Sequence, residues 1–356
     1  MSTTTTIDEA RVERFAGLVV QEAGAALNTA LVAIGDRLGL YRAMADGVPV
    51  TSAELADATG THERYVREWL AAQAASGFVD YDAVAGRYAL PTEHALVLAD
   101  DTSPLALAGL FQAAAAAVES GDRVVERFRT GRGLGWGEHD HDLFRGTERV
   151  FGATYRSELV ASWLPALDGA VERLERGIRV ADVGCGHGVS TVLMAEAFPA
   201  SSFVGYDLHA ASIETARARA ASFDVADRVR FREAGAADYP GEGYGLICFF
   251  DSLHDMGDPV AAARHARRAL APDGVLMVVE PLAGDAVEDN LNPVGRLYYG
   301  FSTLVCTPGS LSQPGRAALG TQAGEARLRE VLAEGGFGSV RRAAETPFNL
   351  VLEARP

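Results

Sequence analysis

From Ile178 onward the chain alternates short apolar runs with longer stretches whose apolar positions recur at helical spacing. IRVADVG, SFVGYDL, VRFREA, YGLICFFDS and GVLMVVEP read as strands, and STVLMAEAF, ASIETARARAASF and PVAAARHARRAL as helices among them. That alternation predicts an α/β domain, a parallel sheet covered by helices. Near the end, the helix EARLREVLAEGGF precedes two short strands, GSVRRAAE and FNLVLEAR, separated by Thr346-Pro347. They predict an antiparallel edge.

The first half has a different pattern. From Asn28, Leu31, Ile34, Leu38 and Tyr41 recur at helical spacing until Asp46-Gly47. Thr51-Ser52-Ala53-Glu54 then forms a capping box opening SAELADATG, and after a turn at Gly60 a second helix, THERYVREWLAAQAASG, ends on Gly77. FVDYDAVAGRYALP reads as a hairpin around Ala85-Gly86, which completes a winged helix. Residues 92–177 are alanine-rich and read as connecting and capping helices, interrupted by GRGLGWGEHDHD, whose Trp136, His139 and His141 make it a candidate pocket lining. The expected division is 1–91 winged helix, 92–177 helical cap and 178–356 α/β domain. The four threonines near the start read as a loose end.

Charge and composition narrow the chemistry. The 356 residues contain no lysine, so all 32 basic side chains are arginine, against 48 acids, a net charge of -16. Schiff-base, pyridoxal-phosphate and phosphate-loop chemistries need a lysine amine and are excluded. The acidic balance opposes nucleic acid and anionic lipid, and residues 1–100 hold 7 arginines against 14 acids. The winged helix therefore reads as a packing or dimerisation module, with Tyr65, Trp69 and Leu70 in a core or interface. Cys185, Cys248 and Cys306 form no metal spacing or disulfide framework, which suits a reducing cytoplasm. No signal-peptide pattern opens the chain, and no run of about 18 apolar residues lacks a charge.

The motif with most chemical content is Val180-Ala181-Asp182-Val183-Gly184-Cys185-Gly186-His187-Gly188, between a strand and a helix. Its alternate glycines let backbone approach a ligand at a helix N-terminus. Asp207 ends the next strand, where a carboxylate can take both hydroxyls of a ribose. Position 189 is valine, so the loop is G-x-G-x-G rather than the dinucleotide G-x-G-x-x-G. This set resembles the class I S-adenosylmethionine-dependent methyltransferases, a Rossmann-like fold, over residues 178–356. The resemblance implies S-adenosyl-L-methionine as cofactor, with Asp182, Gly184, Gly186 and Gly188 at its methionine end, Asp207 at the ribose and Leu208 at the adenine. Where many members carry an Asp for the adenine amine, this chain reads Ala234-Gly235-Ala236-Ala237-Asp238, leaving Gly235, Ala236 or a shifted Asp238 to read the base.

Phe249-Phe250-Asp251-Ser252-Leu253-His254-Asp255 follows the fourth strand of that domain, on the side where open parallel sheets bind ligands. The His254-Asp255 pair is similar to that of small-molecule O-methyltransferases whose histidine is a general base, and Glu280 to the carboxylate orienting it. In those enzymes a lysine commonly lies four residues before the histidine; here that place, at the cofactor, is Phe250. Other readings stay open: His254 caps a turn, or His254 and Asp255 bind metal as in certain C-methyltransferases. No later histidine than His265 exists to complete that set, so no metal is expected. The expanded connection from Pro281 to Gly324 carries Tyr298 and Tyr299, which either close over a substrate or extend a packed helix. With the winged helix it also resembles a bacterial methyltransferase family often labelled as regulators. The expectation is O-methylation of a small-molecule acceptor by a homodimer, set against a cofactor-binding enzyme with other chemistry and a DNA-binding regulator.

Overall fold

The computed structural model describes residues 7–356, so the threonine-rich start lies outside the described residues. The chain divides into two compact units, one reaching to Ala115 and including Arg145–Val150, the other comprising Ala116–Phe144 and Phe151–Pro356. The cap residues 92–177 are thus shared between them.

In the first unit α1 runs from Glu9 to Leu38, beginning nineteen residues before the helix expected at Asn28. Asp8 caps it by accepting from the Arg11 amide, and Gly39, at φ 74°, ends it. The early turns lack the buried stripe on which the sequence reading relied: Val12, Phe15, Leu18 and Val19 are exposed, and the buried positions begin at Asn28. Among the described residues α1 is the helix long and apolar enough, by length and composition, to cross a membrane.

The short α2 (Leu40–Ala43) leads to α3 (Ser52–Thr59), opened by the predicted Thr51/Glu54 capping box, and α4 (Glu63–Ala75). Strands β1 (Asp80–Asp82) and β2 (Arg87–Ala89) pair antiparallel as the wing. Trp69 and Leu70 are buried with Val32, Leu40, Tyr41 and Met44, and Trp69 donates to the Leu31 carbonyl at 2.8 Å. Tyr65, expected in that core, is 80% exposed. A Cβ on Gly35 would lie 2.4 Å from the Trp69 ring, so a glycine there lets α1 and α4 close together. On α4, Arg67 pairs with Glu63 and Arg64 with Glu68, which neutralises the helix that would enter a DNA groove.

Helices α5 (Thr92–Leu98), α6 (Ala108–Glu119), α7 (Gly121–Thr130), α8 (His141–Thr154) and α9 (Ala170–Arg176) follow, with a π-helical stretch, Tyr155–Trp163, directly after α8. Arg149 reaches both oxygens of the buried Asp36 within the first unit.

In the second unit, strands β3 (Arg179–Val183), β4 (Ser202–Asp207), β5 (Val229–Glu233), β6 (Tyr244–Phe250) and β7 (Leu270–Pro281) are parallel, and β8 (Ser339–Glu345) and β9 (Asn349–Arg355) antiparallel, in the order β5-β4-β3-β6-β7-β9-β8. Helices α10 (Val189–Ala197), α11 (Ala210–Ser222), α12 (Pro259–Ala269), α13 (Pro293–Phe301), α14 (Thr307–Leu311) and α15 (Gly324–Glu334) complete the domain. All seven residues of β6 are buried, which explains why YGLICFF shows no alternation. The chain runs outward from β3 through β4 and β5, then restarts at β6, so the direction reverses between β3 and β6. Ligand crevices of such sheets open at that reversal, beyond the strands' carboxyl ends.

Candidate active site

Five strand ends supply the site: β3 runs into the glycine loop, β4 ends on Asp207, β5 precedes Gly235, β6 precedes His254, and β7 ends at Glu280 and Pro281. In the loop Gly186 and Gly188 have φ of 50° and 76°, in the left-handed region that favours glycine. A Cβ on Gly188 would lie 2.5 Å from the Phe231 ring, whereas one on Gly186 would meet nothing within 4 Å. Gly188 is therefore required for packing and Gly186 opens onto free space, a cradle for a ligand. Asp207 is set in place by the Gly186 amide at 2.9 Å and the His209 amide at 2.8 Å. Burial raises its pKa, partly offset by those two bonds.

Leu208 is 60% exposed beside this carboxylate. The position a Gly235 Cβ would take lies 2.7 Å from an Asp238 oxygen and 3.6 Å from Leu208, so Asp238 fills the space left by the missing side chain. Ala236 is half-buried next to it. Asp182 and Phe250, both read with the cofactor set, lie deeper. Asp182 is fully buried, its Oδ2 accepting from Ser190 and Thr191 at 2.6 Å each, and its Oδ1 has no partner within the protein. Burial pushes it up to about 6 against those two bonds. Phe250 is 5% exposed and packs against Tyr155 in the core, with ring centroids 5.4 Å apart.

His254 sits on a short 3-10 turn, Leu253–Asp255. Its Nδ1 bonds Oε2 of Glu280, and Oε1 of Glu280 accepts from the Leu253 amide at 2.8 Å. Both side chains are almost fully buried. A carboxylate only accepts, so the proton is on Nδ1 and the lone pair on Nε2. Burial opposes a charged imidazole, but the Glu280 charge and the neighbouring Cys306 override it and hold the His254 pKa well above 6.5. Asp255 is pushed up to about 7 by burial, with His254 pulling the other way.

Several residues here carried no sequence signal. Asp251 adopts φ 47°, uncommon for a residue other than glycine, and its carboxylate accepts from the Asn349 side chain at 3.2 Å, a contact made by β9 from 98 residues away. Burial, then Glu280, drives its pKa well above the carboxylate range. The phenol of Tyr155 is raised by burial and by the carboxylates of Asp251, Asp182 and Glu280.

The connection after β7 folds into α13 and a π-helical turn, Ser302–Cys306, before α14. Pro308 lacks an amide hydrogen and its ring crowds the carbonyl four residues back, and a wider turn relieves that conflict. This turn delivers Cys306 to His254. Tyr298 donates to the Phe348 carbonyl at 2.9 Å, so its hydroxyl is engaged, and Tyr299 is half-buried beside it. Trp136 packs on Phe144 (5.0 Å), which packs on His209 (5.0 Å), linking the glycine-rich loop to the Asp207 end of the site. No cluster of three or more metal-ligating side chains occurs among the described residues.

Residues 25–100 match the Rv2258c-like winged helix-turn-helix domain, and residues 153–308 match a methyltransferase domain. The 27-O-demethylrifamycin SV methyltransferase of Amycolatopsis mediterranei (strain S699) is 30% identical over 172 residues, 45% of this chain and 60% of its own length. The mitomycin biosynthesis 6-O-methyltransferase of Streptomyces lavendulae is 27% identical over 259 residues, 69% of this chain and 71% of its own. The crystal structure of human N-acetylserotonin methyltransferase in complex with SAM superposes with a TM-score of 0.68 at 17% identity, covering 99% of each chain. The chain thus joins an N-terminal winged helix to a methyltransferase fold.

Proposed function

We propose that this winged-helix, methyltransferase-domain protein transfers a methyl group from S-adenosyl-L-methionine to a hydroxyl of a small apolar or aromatic acceptor. The observation that carries the reading is the His254–Glu280 pair standing beyond the same strand ends as the Gly186 cradle and Asp207. The cofactor, when bound, supplies an electrophilic sulfonium methyl group. Asp207 would hold its ribose, Gly184 and Gly186 its methionine end, and Leu208, Gly235 and Ala236 its adenine. The open space at Gly186 and the unpartnered Oδ1 of Asp182 suit such a group.

Glu280 keeps the His254 proton on Nδ1, so Nε2 can take the acceptor's proton as its oxygen attacks. The raised basicity brings His254 nearer to a phenol at about 10 than an ordinary imidazole is, which favours phenolic or enolic hydroxyls. Tyr298, Tyr299 and Trp136 are read as shaping the acceptor side, and Asp255 as supporting His254. Relatives named for O-methylation of rifamycin and mitomycin compounds support this acceptor class.

The exposed apolar residues of α1, among them Phe15, Leu18, Val19 and Leu27, favour a homodimer, and free thiols favour a reducing cytoplasm. The test is incubation with methyl-labelled cofactor and an extract of the host. Label in a small molecule, lost in His254→Ala, is the expected result; label retained by that variant refutes the base assignment. Sedimentation at equilibrium tests the dimer.

A further inference from the structure

We propose that Cys306 is a positioning residue whose thiol covers the Nε2 lone pair of His254 until the acceptor hydroxyl takes its place. The inference rests on the reading of His254 as the base. Glu280 occupies Nδ1, so the imidazole's second hydrogen-bonding neighbour, the Cys306 thiol, stands at Nε2. That is the position an acceptor oxygen must reach. Cys185 and Cys248 are buried, whereas Cys306 is partly accessible, on the π-helical turn Ser302–Cys306.

Burial keeps this thiol neutral, raising its pKa while His254 pulls it down. A neutral S–H is a weak donor, so exchanging it for a phenolic O–H costs little, and while it is in place it keeps water from the base. A serine at 306 would cover the same nitrogen with a stronger donor and compete with the acceptor. An alanine would leave Nε2 bare.

The test measures cover directly, with no acceptor needed: carbethoxylation of His254 by diethylpyrocarbonate, followed by peptide mass spectrometry, in wild type, Cys306→Ala and Cys306→Ser. The exposed His62, in the other unit, serves as internal control. Cys306→Ala is expected to react about tenfold faster than wild type at His254, with His62 unchanged, and Cys306→Ser to return to the slow rate. Equal rates at His254 in wild type and Cys306→Ala overturn the proposal, as does a Cys306→Ser rate as fast as alanine's. These outcomes concern the cover alone. Failure of the base reading appears separately, as methyl transfer that survives His254→Ala.

Discussion

Replacing Glu280 by glutamine removes one negative charge from the Nδ1 side of His254 while nearly conserving volume. Burial alone would lower the basicity of this imidazole, and the carboxylate reverses that effect. Two unit charges about 4 Å apart interact by about 4 kcal/mol at an effective dielectric of about 20, which at 1.36 kcal/mol per unit is roughly three pH units. His254 accepts a proton only when neutral, so in the wild type kcat/KM should rise with pH through a value above 6.5. In Glu280→Gln that limb moves to lower pH, by about one to three units. The plateau falls about tenfold if half of a two-unit loss of basicity is expressed in the transition state. Glutamine has one acceptor oxygen for two donors, the Leu253 amide and His254 Nδ1–H, which costs about 1–3 kcal/mol of stability. Thermal unfolding is therefore followed in parallel. The assay is the pH dependence of kcat/KM with methyl-labelled cofactor, restricted to conditions where the variant is folded. A limb that stays in place, or moves upward, refutes the assigned role of Glu280.

Three further outcomes follow from the same geometry. Gly186→Ala faces open space and meets only left-handed strain of about 1–2 kcal/mol, so it should stay folded and lose cofactor affinity by calorimetry, whereas Gly188→Ala, colliding with Phe231, should lose more thermal stability; the reverse order would contradict the cradle. Asp207→Ala should weaken cofactor binding about ten- to a hundredfold with little change in unfolding temperature, since both donors to this carboxylate are backbone amides near the surface of the crevice; unaltered affinity would remove it from the ribose site. Asp255 is charged with difficulty when folded, so wild-type stability should fall as pH rises from 3.8 to about 7, and Asp255→Asn should gain on wild type across that window; a pH-independent difference in melting temperature would refute the shift.

The α/β domain was legible because each strand is a short β-branched or apolar run and each turn carries glycine. The glycine loop, Asp207, His254 and Glu280 were legible for the same reason: strand ends are visible in sequence, and ligands collect there. Asp251, Asn349 and Cys306 were not, because their meaning lies in contacts across tens of residues. The Asn349 contact depends on β9 inserting between β7 and β8, an order that periodicity does not encode. Cys306 depends on a π-helical turn upstream of a proline, in a stretch that offered no clear element. The first half of α1 was missed for another reason. Its apolar residues face outward in this chain, so no buried stripe marks them as one helix face.

The absence of lysine has a local consequence at the adenine end. Where related enzymes place a lysine four residues before the histidine, Phe250 is packed under the site against Tyr155, so that position offers no polar group to a nucleoside. Gly235 removes a second polar side chain, but Asp238 reaches into the vacated space beside Leu208. The base is then left with one carboxylate displaced by three residues, the backbone of Gly235 and Ala236, and an exposed leucine. Such a site gains most of its grip from apolar contact and little from charge. Binding of the cofactor's adenine end should accordingly depend weakly on ionic strength, and Leu208→Ser should weaken it at least as much as Asp238→Asn. A calorimetric titration in which the Asp238 variant loses far more affinity than the Leu208 variant would show that the displaced carboxylate, not the apolar surface, reads the base.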